Sequence, residues 1–128
     1  PSVAGEITIT PSKKVYNEGE TVEIRVSGNG LRSVNALSFA LPYDPQALEY
    51  VGTEMTGMKE MRNLTNDRLH TNGTKALYPT FVNIGEKPCL EGDAELMTIK
   101  FKAKRKQKID LNVLDGMLVD KNLNTVKF

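Results

Sequence analysis

At 128 residues, 39% apolar, with four Tyr, four Phe and no Trp, the chain is long enough for one domain that buries its core without disulfides or metals. Seventeen basic residues against sixteen acidic ones leave a net charge of +1, which removes any general attraction to nucleic acid or membrane surfaces. Cys89 is the only cysteine, so no intramolecular disulfide forms, and no apolar run approaches the roughly 18 residues of a membrane span.

The predicted elements are short strands. Glu6 to Thr10 alternates, Pro11 and Ser12 break it, and Lys13 to Tyr16 leads into a turn at Asn17–Glu20. Thr21 to Val26 alternates again with Val22, Ile24 and Val26 on one face, and Gly28-Asn29-Gly30 reads as a loop. From Val34 to Pro42, Leu37, Phe39 and Leu41 alternate with Ala36, Ser38 and Ala40. Period-two spacing puts the two sets on opposite faces of a strand. The first set builds core; the second is small and uncharged, which is unusual for a face meant only for water. Asp44-Pro45 then bends the chain, and extended structure resumes at Leu48 to Thr53.

Met55, Met58, Met61 and Leu64 recur every three residues, which fits one face of a short helix. Gly57 and Asn63 fit a loop with a single helical turn instead, and both readings stay open. In either, the methionines read first as a lid on the core, because flexible thioethers fill irregular gaps. Arg68 to Thr71, Asn72-Gly73 and Thr74 to Tyr78 spell a tight hairpin, since Asn-Gly accepts the positive φ of a type I′ turn. Pro79 is expected at an edge or bulge before Phe81 to Ile84. Ala94 to Lys104 is the longest alternating run; Ile109 to Val113, Met117 to Val119 and Thr125 to Phe128 complete the series. About nine strands at even spacing predict an all-β sandwich with jelly-roll topology.

Chemistry has little to stand on. His70, the only histidine, flanks the expected hairpin turn, and there are no Gly-rich phosphate loops, nucleophile motifs or Cys/His metal spacings. Asp120, Asn122 and Asn124 have the first three positions of a calcium loop, but Thr125 replaces its glycine and the bidentate Glu is missing. A hairpin turn is the favoured reading there. Glu91, Asp93 and Glu95 carry no stronger case for calcium. Neither a metal nor another cofactor is expected. Lys100 to Lys108 places lysines on the solvent side of a strand, a device that protects sheet edges, and lacks the interleaved aromatics of a nucleic-acid groove.

Several segments in order resemble the cohesin family. They are Gly19-Glu-Thr-Val22, Phe39-Ala-Leu-Pro-Tyr-Asp-Pro-Gln-Ala-Leu-Glu49, the Asn72-Gly73 hairpin, Gly92 to Lys104, and Leu118-Val-Asp-Lys-Asn-Leu-Asn124. The resemblance implies a non-catalytic β-sandwich module that docks a dockerin-like module, within a secreted or cell-surface bacterial protein such as a multimodular glycoside hydrolase. With no initiator Met before Pro1, residues 1–128 are expected to be a single module excised from such a protein. In dockerin-binding members, outward positions on the strand entering Tyr-Asp-Pro carry Asn and Asp; aligned on Tyr43-Asp44-Pro45, these are Ala36 and Ser38. A partner here would have to be held by close apolar packing on Ala36, Ser38 and Ala40, with Tyr78 and Thr80 from a neighbouring strand. That partner is either a dockerin-like module or an adjoining domain of the parent. The alternatives are a carbohydrate-binding module, making at most a weak glycan contact given so few aromatics, and a structural spacer.

Overall fold

The computed structural model describes residues 5–57, 61–69, 75–84 and 89–127. Its strands are β1 (Glu6–Pro11), β2 (Val15–Tyr16), β3 (Thr21–Tyr43), β4 (Leu48–Met55), β5 (Arg62–Asn63), β6 (Asn66–Leu69), β7 (Lys75–Tyr78), β8 (Thr80–Val82), β9 (Leu90–Ala103), β10 (Gln107–Lys108), β11 (Leu114–Asp120) and β12 (Thr125–Lys127). The expected all-β sandwich is present, and there is no helix among the described residues.

The 23 residues of β3 are the spine. Its first half lies between β1 and β9, with β4 beyond β9; its second half lies between β11 and the β7–β8 run, with β12 and the β5–β6 run outermost. The expected loop at Gly28–Gly30 is therefore a correction: the chain stays extended and changes sheets through register shifts at Gly28/Leu31 and Leu31/Val34. Gly30 and Ser33 take positive φ values of 63° and 49°, which bend the strand without ending it. Two carboxylates hold this bend. Asp93 accepts the Gly30 N–H at 2.7 Å, and Glu91 accepts both the Ser33 N–H at 3.0 Å and its hydroxyl at 3.1 Å.

Both halves turn their apolar residues inward. Val22, Ile24 and Val26 of the first sheet meet Leu37, Phe39 and Leu41 of the second in one buried cluster with Phe81, Ile99, Phe101 and Leu118. Fully burying each such side chain is worth roughly 1.5–3 kcal/mol. At one end the corner is tied by Asp44, whose carboxylate accepts the Gln46 N–H at 2.8 Å and whose carbonyl accepts those of Ala47 and Leu48 at 3.0 Å. Lys104 donates to the Pro45 carbonyl at 2.8 Å and Arg105 pairs with Asp44 at 3.3 Å. Part of the basic run thus fastens the corner.

The strand count exceeds the expected nine partly because of Pro79. The pairs Leu41↔Leu77 and Leu37↔Phe81 share one register, which puts Pro79 opposite Phe39. Phe39 N–H donates to the Pro79 carbonyl at 3.2 Å, but proline returns no N–H. The ladder is interrupted at that rung and the run divides into β7 and β8. Pro79 is buried inside the sheet, neither at an edge nor in a bulge, because the register passes through it unchanged.

The Asn72-Gly73 turn and His70 lie outside the described residues; the flanking strands pair from Asn66↔Tyr78 to Leu69↔Lys75. Met58 is also outside them. Met55 and Met61 do not share a helical face with Leu64: Met55 pairs with Met97 in β4, Met61 is buried, and Leu64 is 46% exposed. Among the described residues Met55 lies in β4, Thr56, Gly57 and Met61 in bends and Arg62 in β5, with no helix, while residues 58–60 lie outside them and the buried Met61 agrees with a core lid. The lysines of β9 point outward as expected but do not guard an edge, since β9 lies between β3 and β4. Lys100 pairs with Glu54 across the sheet at 3.1 Å.

Candidate docking face

The outer face of the second sheet is built from cross-strand rows. Arg62, Val82, Ala36, Val119 and Thr125 stand opposite one another on β5, β8, β3, β11 and β12. The adjacent row runs from Thr80 through Ser38 and Met117 to Lys127. Leu64 extends it beyond Thr80, whose carbonyl accepts the Leu64 N–H at 2.8 Å. Directly opposed residues point to the same side of a pleated sheet, so the inward burial of Leu37, Phe81 and Leu118 turns both rows outward. Four strand gaps of about 4.8 Å give the face a width of roughly 19 Å.

Its middle carries no charge. Ala36, Ser38, Thr80, Val82, Met117 and Val119 are each half-buried. One step past Val82, the buried Asn83 donates its amide N–H to the Asn35 carbonyl at 3.0 Å and its side-chain Nδ2 to Asn35 Oδ1 at 2.8 Å. That inward pair turns Ile84, 52% exposed, back toward the outer side. The opposite outer face has a different character. There Arg25 lies between Thr10 and Thr98, Lys100 between Glu23 and Gly52, and Lys102 between Thr21 and Glu49. One side of the sandwich is a lattice of charges; the other has an uncharged centre.

Of the residues singled out from the sequence, the structure brings Ala36, Ser38 and Thr80 together. Tyr78 lies one register step beyond Leu77, opposite Ala40. Ala40 itself is a correction as a presented residue, because it is 2% exposed. In register it stands opposite Leu114 of β11 and Tyr78 of β7. The same face also carries Val82, Met117, Val119, Leu64 and Ile84, which sequence reasoning did not single out. Alternation around Leu118 marks Met117 and Val119 as outward, but only pairing reveals that β11 lies beside β3.

Of the acidic groups considered for calcium, Asp93, Glu91 and Asp120 accept hydrogen bonds from backbone N–H groups. Asp120 Oδ1 accepts the N–H groups of Asn122 and Asn124 at 2.8 and 2.9 Å, and Oδ2 accepts from Asn124 Nδ2 at 3.1 Å. These bonds, the Asn124 N–H foremost, hold the Asp120 carboxyl below the usual carboxylate range. Among the described residues no cluster of three or more His, Cys, Asp or Glu is placed to hold a metal. Three of the four tyrosines pack into the body of the domain. Tyr43 and Tyr50 both pack edge-on against Phe101, with ring centroids 4.9 and 5.8 Å away, and the buried Tyr16 accepts the Lys13 N–H at 3.0 Å.

The fold has relatives among solved structures. The cohesin module of a family 33 glycoside hydrolase from Clostridium perfringens is 16% identical, with a TM-score of 0.72 over 99% of this chain and 91% of that one. The sixth cohesin of scaffoldin B from Acetivibrio cellulolyticus, solved in complex with a dockerin, is 16% identical, with a TM-score of 0.71 over 97% and 92%. A non-cellulosomal cohesin from Archaeoglobus fulgidus is 18% identical, with a TM-score of 0.67 over 95% and 83%. None of the curated proteins matches the chain. At such identities the likenesses speak for the fold. The family rests on the sequence: residues 5–128 match the model of the cohesin domain, whose members are non-catalytic binding modules, and the chain therefore belongs to the cohesin domain family.

Proposed function

We propose that this module docks a dockerin-like module on the outer face of its second sheet, with Ala36, Ser38, Thr80, Val82, Met117 and Val119 as the floor. The observation that carries this reading is the uncharged centre of the face, set against the salt-paired outer face of the other sheet. Small side chains let a partner's backbone come close, and affinity then arises from excluding water over the centre rather than from charge pairs. Family membership supports the partner class, as does the Acetivibrio relative bound to a dockerin. Ala36 and Ser38 carry none of the Asn and Asp contacts that the resemblance implied, so shape outweighs polar recognition here.

The setting we infer is a single module of a secreted or cell-surface bacterial protein, a multimodular glycoside hydrolase being supported by the Clostridium relative. The test is binding of recombinant dockerin modules by isothermal calorimetry, with and without Ala36→Arg. Loss of binding by a folded variant supports the face, and undiminished binding places the partner elsewhere. If no dockerin binds and the parent's adjoining domain binds in trans, the face is an intramolecular contact.

A further inference from the structure

The bend of β3 contains a chemically labile pair, Asn29-Gly30, and both residues are exposed to water. Asparagine followed by glycine is the sequence most prone to deamidate, because glycine has no side chain to hinder its own nitrogen. In that reaction the Gly30 nitrogen gives up its proton and bonds to Asn29 Cγ, the Cγ–Nδ2 bond breaks, and ammonia leaves with the proton. Water then opens the succinimide ring to aspartate or isoaspartate.

The register singles this peptide out. Gly28 pairs with Ala94 and Leu31 with Gly92, so Asn29 and Gly30 together stand across from Asp93 alone, in the manner of a bulge. The Gly30 N–H donates to the Asp93 side chain, Oδ1, at 2.7 Å. From the other side the chain entering β1 closes on the same peptide. A Cβ built on Gly5 would lie 2.6 Å from the Asn29 carbonyl oxygen and 2.9 Å from that of Gly30. The proton that deamidation must remove is therefore the one given to Asp93. A carboxylate there holds the N–H in a charge-assisted hydrogen bond, and its negative charge opposes an amide anion forming beside it. An aspartate is far too weak a base to take an amide proton, so the contact restrains the nitrogen and does not activate it.

We propose that Asn29-Gly30 is a deamidation site held shut by Asp93, which guards the bend that carries β3 from one sheet to the other. Without the guard the succinimide forms, and isoaspartate then routes the backbone through the former side-chain carbon. The extra backbone atom falls where β3 leaves one register with β9 and takes up the next.

The experiment incubates the unaltered domain, Asp93→Ala and Asp93→Asn in neutral buffer, with the urea-unfolded domain as the reference for an unguarded pair. Conversion is followed by mass spectrometry of the tryptic peptide of residues 26–32, in which Asn29 is the only asparagine. Asn29 is expected to convert at least about tenfold more slowly in the folded domain than in urea, and folded Asp93→Ala to recover at least about tenfold in rate. Asp93→Asn keeps an acceptor oxygen without the charge and is expected between the two. A folded Asp93→Ala that converts within about twofold of the unaltered domain overturns the guard, as does an unaltered domain that converts at the urea rate. If neither variant folds, hydrogen exchange in the unaltered domain decides the matter, since base-catalysed exchange removes the same Gly30 proton. Exchange at least about tenfold slower than in the unfolded chain supports the guard, and exchange at the unfolded rate refutes it.

Discussion

Val119 of β11 stands directly opposite Ala36 of β3, setting a β-branched side chain beside a methyl group at the centre of the proposed docking face. Neither carries charge and both are half-buried. The pair leaves a shallow floor between strands, against which a partner can pack without first stripping water from ions.

Ala36→Arg fills that floor. A guanidinium there obstructs close approach and must be desolvated by any partner that covers it, so partner affinity is expected to fall by about 100-fold or more. Stability should stay within about 1 kcal/mol, because the position is on the surface. Calorimetry of binding alongside urea unfolding separates the two effects.

Phe101→Ala strikes the opposite side of the domain's energetics. The ring is fully buried between Tyr43 and Tyr50, and its removal leaves a cavity that paired β-strands cannot close. A loss of about 3–5 kcal/mol in unfolding free energy is expected. A loss below about 1.5 kcal/mol would mean that the core collapses around the gap.

Gly57→Ala probes a close approach. An added Cβ would meet the Glu95 carbonyl oxygen at 2.4 Å, and the Gly57 N–H already donates to the Leu96 carbonyl at 3.0 Å. Backbone presses on backbone, so the segment must shift, at a cost of about 1–3 kcal/mol. Gly28→Ala meets a side chain instead: its Cβ would crowd Leu31, itself buried in the core, so it too costs stability, though a leucine shifts by torsion more cheaply than a backbone carbonyl moves. Thermal unfolding of both variants should show the larger drop for Gly57→Ala.

The β11–β12 hairpin should carry an acid dependence. Asp120 is held below its ordinary pKa by the N–H groups it accepts, so its folded value lies under the unfolded value of about 3.9. The stabilising contribution is present above that value and is lost as pH falls through the folded pKa. Glu20, lowered first by its hydrogen bond from Lys13 and then by the Asn17 N–H, acts in the same direction. Between pH 7 and 5 neither group should alter melting. Below about pH 4 melting should fall, and Asp120→Asn should flatten the decline. An NMR titration placing Asp120 at or above an ordinary aspartate pKa would refute the assignment.

Much of the architecture was legible because a strand writes its faces into its sequence. The alternation of Leu37, Phe39 and Leu41 with Ala36, Ser38 and Ala40 foretold which residues turn inward, and Asp44-Pro45 foretold the corner. Where local signals misled, tertiary structure had overridden them. Gly28 and Gly30 promised a loop, yet β3 runs on because Glu91 and Asp93 hold the backbone of a bend that passes from sheet to sheet. Pro79 promised an edge, yet strands on either side keep it in register.

The sequence alone determined the fold class, the cohesin resemblance and the outward placement of Ala36, Ser38 and Thr80. Only the tertiary structure decided which strands lie side by side, and therefore that Val82, Met117 and Val119 share the outer face with Ala36 and Ser38 while Ala40 is buried. The reason is physical. Facing along a strand is a property of consecutive residues, whereas strand neighbours are chosen by contacts between segments far apart in the chain, and a docking face is a property of neighbours.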